Sequence, residues 1–255
     1  MILTIDIGNT NTVLGCWQGE KLLLTLRLHT NRDQTADEYC LLVRQLLESR
    51  GVDPAGLSGG ILSSVVPELR MVMKEAMRLM TGKTFLCVGA GLKTGLDIRM
   101  DNPAQLGADL VVDAVAALAK YKPPLVIFDM GTATTMSVID GSGAYRGGLI
   151  IPGLRLSVDA LSARAAQLPY IHLGPPERFI GSNTVDCMQA GAVYGSALMI
   201  DGLIGQAEEE LGQPVTAVAT GGLMALIHSY CRRELHYDEN LMLEGLRILY
   251  RKNAK

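Results

Sequence analysis

The sequence has no excess of basic residues, no paired cysteines and no long apolar run, and each absence closes off a class of function. Its 255 residues carry 23 Lys and Arg against 26 Asp and Glu, a formal net charge of −3, with the basic residues scattered rather than clustered. A nucleic-acid backbone is held by a basic patch, so no nucleic-acid partner is expected. The apolar stretches are read as falling short of the ~20 residues that cross a bilayer. The opening MILTIDIG meets Asp6 before any signal-like core has formed. No membrane is expected, and the expected location is cytoplasmic. The five cysteines, Cys16, Cys40, Cys87, Cys187 and Cys231, are odd in number, widely spaced and form no C-x-x-C pair. With four scattered histidines, neither a disulfide framework nor a zinc site has the spacing it needs. Reduced, mostly buried thiols are expected. Neither G-x-x-x-x-G-K-[ST] nor a well-placed G-x-G-x-x-G occurs, which disfavours P-loop and Rossmann readings.

What is present is an α/β pattern. Hydrophobic residues make up 48% of the chain, enough at this length for one large core or two smaller ones. Short β-branched runs predict strands over 1–7, 12–17, 21–28, 60–65, 84–88, 125–129, 134–140, 144–149 and 215–219, alternating with helical patterns. Tight turns such as Gln18-Gly19-Glu20 join the first three strands into a meander. Thr35-Ala36-Asp37-Glu38 reads as a capping box that opens a helix to Ser49, with Gly51 as its stop. Pro67 opens a second helix to Met80, ended by Gly82. Pro103 opens a third, through 105–120, with Leu106, Leu110, Ala114, Ala117 and Leu118 on one stripe. Further helices are expected over 154–166, 184–211, 223–229 and 240–251. Met71, Met73, Met77 and Met80 read as core packing, and Trp17 as a packing residue at a strand end.

A weak internal repeat organises this pattern. Asp6-Ile7-Gly8-Asn9-Thr10-Asn11-Thr12 aligns with Asp129-Met130-Gly131-Thr132-Ala133-Thr134-Thr135 at an offset of 123, close to half the chain. Each copy follows an apolar strand and precedes another. Two similar halves, 1–120 and 121–255, are expected, with the Pro123-Pro124 turn near their boundary. Glycine in such a turn lets the backbone approach a phosphate closely. Successive N–H groups and Thr or Asn side chains can hold phosphate oxygens, and a strand-end Asp suits a hydrated magnesium ion. A plain hairpin turn uses the same residues to satisfy its own backbone. Two copies, with a third glycine turn at Thr220-Gly221-Gly222 placed to face an adenosine, favour a nucleotide.

The motifs then become specific: IDIGNTNTV, QTADEY, LSSVVP, KTGLDIR, DNPAQLGAD, FDMGTATT, GGLIIPG, NTVDCMQAGAVYG and ATGG, in this order. In this series the chain resembles, nearly end to end, the type III pantothenate kinases. These share a superfamily with actin, the sugar kinases and the ATPase domain of the heat-shock chaperones. The resemblance implies two ribonuclease H-like halves of the actin-like ATPase fold with a nucleotide cleft between them. It implies phosphorylation of pantothenate by ATP with Mg2+, the first step towards coenzyme A. Position by position, Asp6, Ile7, Gly8, Asn9, Thr10, Asn11, Thr12 and Val13 would form the first phosphate loop. Asp129 would bind a monovalent cation, K+ or NH4+, and Thr132 would contact ATP. Met100, Gly107, Ala108, Asp109, Leu110 and Thr184 would face pantothenate, with Asp109 as the base. The resemblance further implies a homodimer.

Asp109 also has a physical rationale, since a carboxylate in such a site can accept the hydroxyl proton and aim the oxygen at the γ-phosphate. Taken alone, it reads first as a solvated helix residue. Two positions depart from the family pattern: Leu110 stands where the family has Arg, and Met100 where it has Tyr. An Arg on a carboxylate makes charge-assisted hydrogen bonds that Leu110 cannot replace. Either Arg146, Arg155 or Arg164 covers the acid, or acceptor choice is altered. A kinase with another hydroxyl acceptor and a non-catalytic nucleotide-binding paralog are the alternatives.

Overall fold

The structure, a computed structural model, describes residues 1–254. They divide into two units, each built on its own mixed sheet.

Unit 1 comprises Met1–Gly95, Ala104–Ala116 and the C-terminal stretch from Leu241. Strands β1 (Ile2–Ile7), β2 (Asn11–Gln18) and β3 (Lys21–His29) form the expected meander, and Gly19 turns β2 into β3 at a φ of +63°. Helix α1 (Ala36–Ser49) begins at the expected capping box: Glu38 Oε2 accepts from the Thr35 N–H at 2.7 Å, and Thr35 Oγ1 from the Glu38 N–H at 3.3 Å. After α1 the chain enters β4 (Gly59–Ser64), parallel to β1, then α2 (Pro67–Thr81) and the short β5 (Leu86–Cys87). Sheet order is β3-β2-β1-β4-β5.

Alternation along β1 sends Leu3, Ile5 and Ile7 into a core shared with Tyr39 and Leu47 of α1 and Met73 and Met77 of α2. Met71, expected in that core, is exposed, because it falls on the solvent face of α2. Trp17 is buried, and its indole N–H donates to Thr4 Oγ1 at 2.9 Å, with the Arg247 guanidinium 5.2 Å from the ring.

Unit 2 comprises Leu96–Pro103 and Ala117–Asn240. It holds β6 (Asp97–Ile98), β7 (Leu125–Met130), β8 (Ala133–Ile139), β9 (Ala144–Pro152), β10 (Thr216–Thr220) and β11 (His236–Tyr237), in the order β11-β10-β7-β8-β9-β6. Read from the other edge, β9-β8-β7-β10-β11 repeats the first sheet, with β10 parallel to β7. The expected duplication is therefore structural. The two-residue strands β6 and β11 escape sequence reading because two residues carry no periodicity.

The chain divides differently from a cut at 120/121. Helix α3 (Ala108–Lys120) starts in unit 1 and ends in unit 2. The last helix, α7 (Leu241–Asn253), returns to unit 1, where Gly245 lies so close to α3 that a Cβ there would stand 2.3 Å from the Val112 carbonyl oxygen. The helix expected over 105–120 is also broken. Pro103–Gln105 makes a single 3-10 turn, and α3 starts only at Ala108. At Gly107 a Cβ would sit 2.4 Å from Asp109 Oδ1, so a larger residue there would have to displace that carboxylate.

Unit 2 carries α4 (Leu154–Arg164), α5 (Thr184–Leu211) and the short α6 (Met224–Ile227). The expectation that no segment approaches a membrane span is corrected by α5, whose 28 residues are long and apolar enough by length and composition. Its Val193, Ala197, Ile200 and Ile204 are buried against Val126, Phe128 and Ala219 of the sheet, as one core with α4 and α6.

Candidate functional site

In unit 1, Asp6 is the fifth residue of β1 and pairs in register with Val13 of β2 and Ser63 of β4. It thus lies at the carboxyl ends of two parallel strands, where ligands of open α/β sheets bind. The turn after it closes when the Gly8 N–H donates to the Asn11 carbonyl at 3.0 Å. Thr30 buttresses it: Thr30 Oγ1 donates to the Gly8 carbonyl at 2.8 Å, and the Thr30 N–H to the Thr10 carbonyl at 2.9 Å. Arg32 Nη2 donates to Asn9 Oδ1 at 3.0 Å. Asn9 and Thr10 are exposed. Ile7 and Thr12 are fully buried, with Thr12 Oγ1 and Thr30 Oγ1 3.0 Å apart, so these two can meet a ligand only through backbone.

Gly107, Ala108, Asp109 and Leu110 are half-buried at the start of α3, also in unit 1. The break at Gly107 puts Asp109 in the first helical turn, where the helix dipole favours a carboxylate. Its Oδ1 accepts from the Leu110 N–H at 2.9 Å. One turn further on, Asp113 is 2% exposed.

In unit 2, Asp129 is again the fifth residue of its strand, in register with Thr135 of β8 and Thr220 of β10. Three glycines gather here. Gly131 closes the turn, its N–H donating to the Ala133 carbonyl at 3.0 Å. Gly221, at φ +95°, approaches so closely that a Cβ would stand 2.6 Å from Asp129 Oδ1 and from the Met130 nitrogen. Gly153 would place one 2.2 Å from the Thr132 carbonyl oxygen. Asp129, Thr132 and Gly221 are therefore brought together, with Gly222 exposed beside them. Gly153 was not singled out from sequence; its signal was a glycine directly before a helix, inside GGLIIPG.

Thr184 opens α5 and lines a cavity of about 660 Å³ with Ser182, Asn183 and Cys187 on one side and Leu154, Val158 and Leu161 of α4 on the other. Sequence reasoning missed Ser182 and Asn183 as lining residues, because polar loop positions carry no periodic signal, and Cys187, in the first turn of α5, because a lone cysteine has no ligand spacing. Asn183 caps the helix, its Oδ1 accepting from the Asp186 N–H at 3.0 Å. Met100 is half-buried after β6. Of the three arginines considered as substitutes, Arg146 is engaged with Asp140 at 3.2 Å and Arg155 Nη1 donates to the Ile171 carbonyl at 3.4 Å. Arg164 stands exposed on the last turn of α4. Among the described residues no three His, Cys, Asp or Glu side chains are grouped to hold a metal ion.

The cysteines are all free thiols. Cys16 and Cys40 are buried, Cys87 and Cys231 half-buried, and Cys187 is exposed, against the expectation of burial, because it faces the open cavity. Burial pushes the Cys231 thiol up to about 11.

Comparison with known proteins gives the geometry a family. Residues 2–206 match the family model described as type III pantothenate kinase. The type III pantothenate kinase of an Exiguobacterium species is 45% identical over 255 residues, covering all of both chains. That of Moorella thermoacetica is 45% identical over 254 residues, again covering both completely. Among solved structures, component A of the Acidaminococcus fermentans (R)-2-hydroxyglutaryl-CoA dehydratase aligns with a TM-score of 0.57 at 12% identity, over 100% of this chain and 99% of that one. The activator of the Clostridium difficile 2-hydroxyisocaproyl-CoA dehydratase, with bound ADPNP, aligns with a TM-score of 0.56 at 10% identity, over 96% and 91%. At such identities the structures speak for the fold alone, and the duplicated sheets are those of the actin-like ATPases. With a family model spanning four-fifths of its residues and relatives matched from end to end, the chain belongs to the type III pantothenate kinase family.

Proposed function

We propose that the chain transfers the γ-phosphoryl group of ATP to the primary hydroxyl of pantothenate, giving 4′-phosphopantothenate at the start of coenzyme A synthesis. The observation that carries this reading is 45% identity to type III pantothenate kinases over the full length. The strand-end carboxylate and glycine turn repeated in both units support it. In this reading the loop from Asp6 to Val13 holds phosphate oxygens through its N–H groups and the exposed Asn9 and Thr10 side chains. Thr132, Gly221 and Gly222 hold the rest of the ATP. Gly107, Ala108 and Thr184 receive the acceptor, together with Met100 and Leu110. Asp109 accepts the hydroxyl proton as the oxygen attacks phosphorus in line, and the ADP oxygen leaves on the opposite side.

A magnesium ion accompanying ATP would be held by the Asp6 carboxylate, with water and phosphate oxygens supplying its other ligands. A single strand-end carboxylate suits that ion, which keeps several waters. When bound, it neutralises charge on the phosphates. Asp129 takes the monovalent cation, K+ or NH4+. The working state is a homodimer in the cytoplasm, with no nucleic-acid or membrane partner.

The test is a coupled assay of ADP formation with pantothenate and a panel of other hydroxy acids. Pantothenate-dependent ADP formation that Asp109→Asn abolishes is the expected result. A second reading, a kinase for a different hydroxyl acceptor, is favoured by Leu110 and Met100 standing at acceptor positions. Turnover with another hydroxy acid and none with pantothenate would establish that reading instead. A protein that binds ATP and phosphorylates nothing on the panel would point to the non-catalytic paralog.

A further inference from the structure

Among the described residues, two buried side-chain hydroxyls have no hydrogen-bond partner, Ser63 Oγ and Thr135 Oγ1. Each pairs in register with one of the strand-end carboxylates: Ser63 with Asp6 across parallel β4 and β1, and Thr135 with Asp129 across antiparallel β8 and β7. Register partners on neighbouring strands lie about 5 Å apart and present their side chains to the same face. The preceding pair, Ile5 and Leu62, belongs to the core packed under α1 and α2. Alternation therefore puts Ser63 on the other face, beside Asp6.

Ser63 is 0% exposed. Its neighbour Ser64 has the ordinary use for a serine at a strand end. Ser64 Oγ donates to the Val66 carbonyl at 2.8 Å and accepts from the Val66 N–H at 3.1 Å, tying β4 to the start of α2. The Ser63 hydroxyl has no such duty. A buried hydroxyl without a partner destabilises the fold, and alanine would fill the position without that penalty. A partner that arrives with a ligand removes the contradiction.

We propose that Ser63 is a positioning residue of the nucleotide site, its hydroxyl hydrogen-bonding a water or phosphate oxygen held at Asp6 and so orienting the metal–phosphate group. The assignment rests on the kinase reading above. Its signature is a split between stability and binding that a structural serine would not give.

The test uses Ser63→Ala and Ser63→Cys, the second similar in size to serine but with a weak donor. Thermal unfolding is measured without nucleotide or metal, and the affinity for magnesium-ADPNP by calorimetry. The expected result is an unfolding midpoint at or above that of the wild type in Ser63→Ala. Affinity for magnesium-ADPNP should fall about 5- to 10-fold in both variants, and the pantothenate KM should not move. Ser63→Cys carries the binding test should Ser63→Ala fail to fold. Unchanged affinity in the folded variants, with or without a lowered midpoint, overturns the assignment: the hydroxyl then serves only the fold. A wild-type protein that fails to bind magnesium-ADPNP overturns the kinase reading and this assignment with it, so the two failures are told apart by the wild-type titration.

Discussion

Asp6 and Leu110 carry opposite kinds of information at the scale of single residues. Asp6 sits where the physics of an open sheet wants a ligand, at the carboxyl end of β1 with a glycine turn after it. Asp6→Asn keeps the size and most of the hydrogen bonding but removes the charge. Turnover should fall by about two orders of magnitude or more, with the thermal midpoint near that of the wild type. Near-normal turnover would take Asp6 out of the metal–phosphate site. This residue was legible in sequence because its turn occurs twice. Leu110 was legible only as a departure from a family pattern, and its apolar spacing invited a core reading. In the structure it is half-buried in the first turn of α3. An arginine there can bury its stem and keep its head in water. If the acceptor's carboxylate is read at this position, Leu110→Arg should lower the pantothenate KM by a large part of the roughly 10- to 150-fold that a charge-assisted hydrogen bond supplies. The change in kcat should be smaller, because the acid end is held equally before and in the transition state. A stable Leu110→Arg protein with an unchanged KM would show that the acid is held elsewhere, and Arg164 would be the next position to substitute.

Turns and helix starts decide the geometry at the scale of elements, and they were the hardest part to read. A capping box and Gly51 located the ends of α1, and Pro67 and Gly82 those of α2: the box and the glycines satisfy terminal backbone groups, and proline at a helix start has no N–H to leave unpaired. The start of α3 was misplaced because Pro103 is an equally good first residue for a 3-10 turn, and the closeness of Gly107 to Asp109 is invisible in a sequence. Two left-handed glycines separate backbone strain from site crowding. Gly212, at φ +65°, ends α5 and has open space where a Cβ would go; Gly221, at φ +95°, presses on Asp129 and Met130. Gly212→Ala should cost about 1–2 kcal/mol of stability and leave nucleotide affinity intact. Gly221→Ala must also displace the Asp129 turn, so nucleotide affinity should fall along with stability. Equal affinities in the two variants would remove Gly221 from the nucleotide site. The turn between β8 and β9 supplies a pH test. Asp140 accepts from Ser142 Oγ at 2.6 Å, from the Ser142 and Ala144 N–H groups and from Arg146. The Ser142 hydroxyl bond is the largest cause that lowers its carboxyl from 3.8 to about 2. A carboxyl held lower in the folded state stabilises it above pH 3.8, and that contribution disappears as pH falls through about 2. Asp140→Asn should therefore be less stable than the wild type in urea unfolding at pH 7, with the gap closing between pH 4 and pH 2. A gap independent of pH would mean that charge plays no part in this turn.

The duplication was visible for the whole molecule in seven aligned residues and a matching order of strands, but the division into units was not. Contiguous halves are the simplest reading of a repeat. The return of α7 to unit 1 depends instead on its packing over β1, β2 and β4 and on its close approach to α3 at Gly245, which leave no local mark in the sequence. Duplication also sets two carboxylates at matching positions in two sheets, Asp6 on β1 and Asp129 on β7, while their surroundings have diverged. Around Asp129, Gly221 and Gly153 bring backbone within van der Waals reach of the turn, and Thr135 and Thr220 stand in register beside it. Such a setting is rich in neutral oxygens and carries one negative side chain. In the proposed reading this turn holds the monovalent cation, with neutral oxygens completing its shell beside the single carboxylate. ADP formation should accordingly be several-fold faster in potassium or ammonium than in sodium at equal ionic strength. Asp129→Asn should lose that selectivity, so that its residual rate is the same in all three salts. Asp6→Asn, by contrast, should be slow in every salt and respond to magnesium. Equal wild-type rates in sodium and potassium would remove the monovalent cation from the reaction. Selectivity that survives in Asp129→Asn would leave the cation in the reaction but move it to another site.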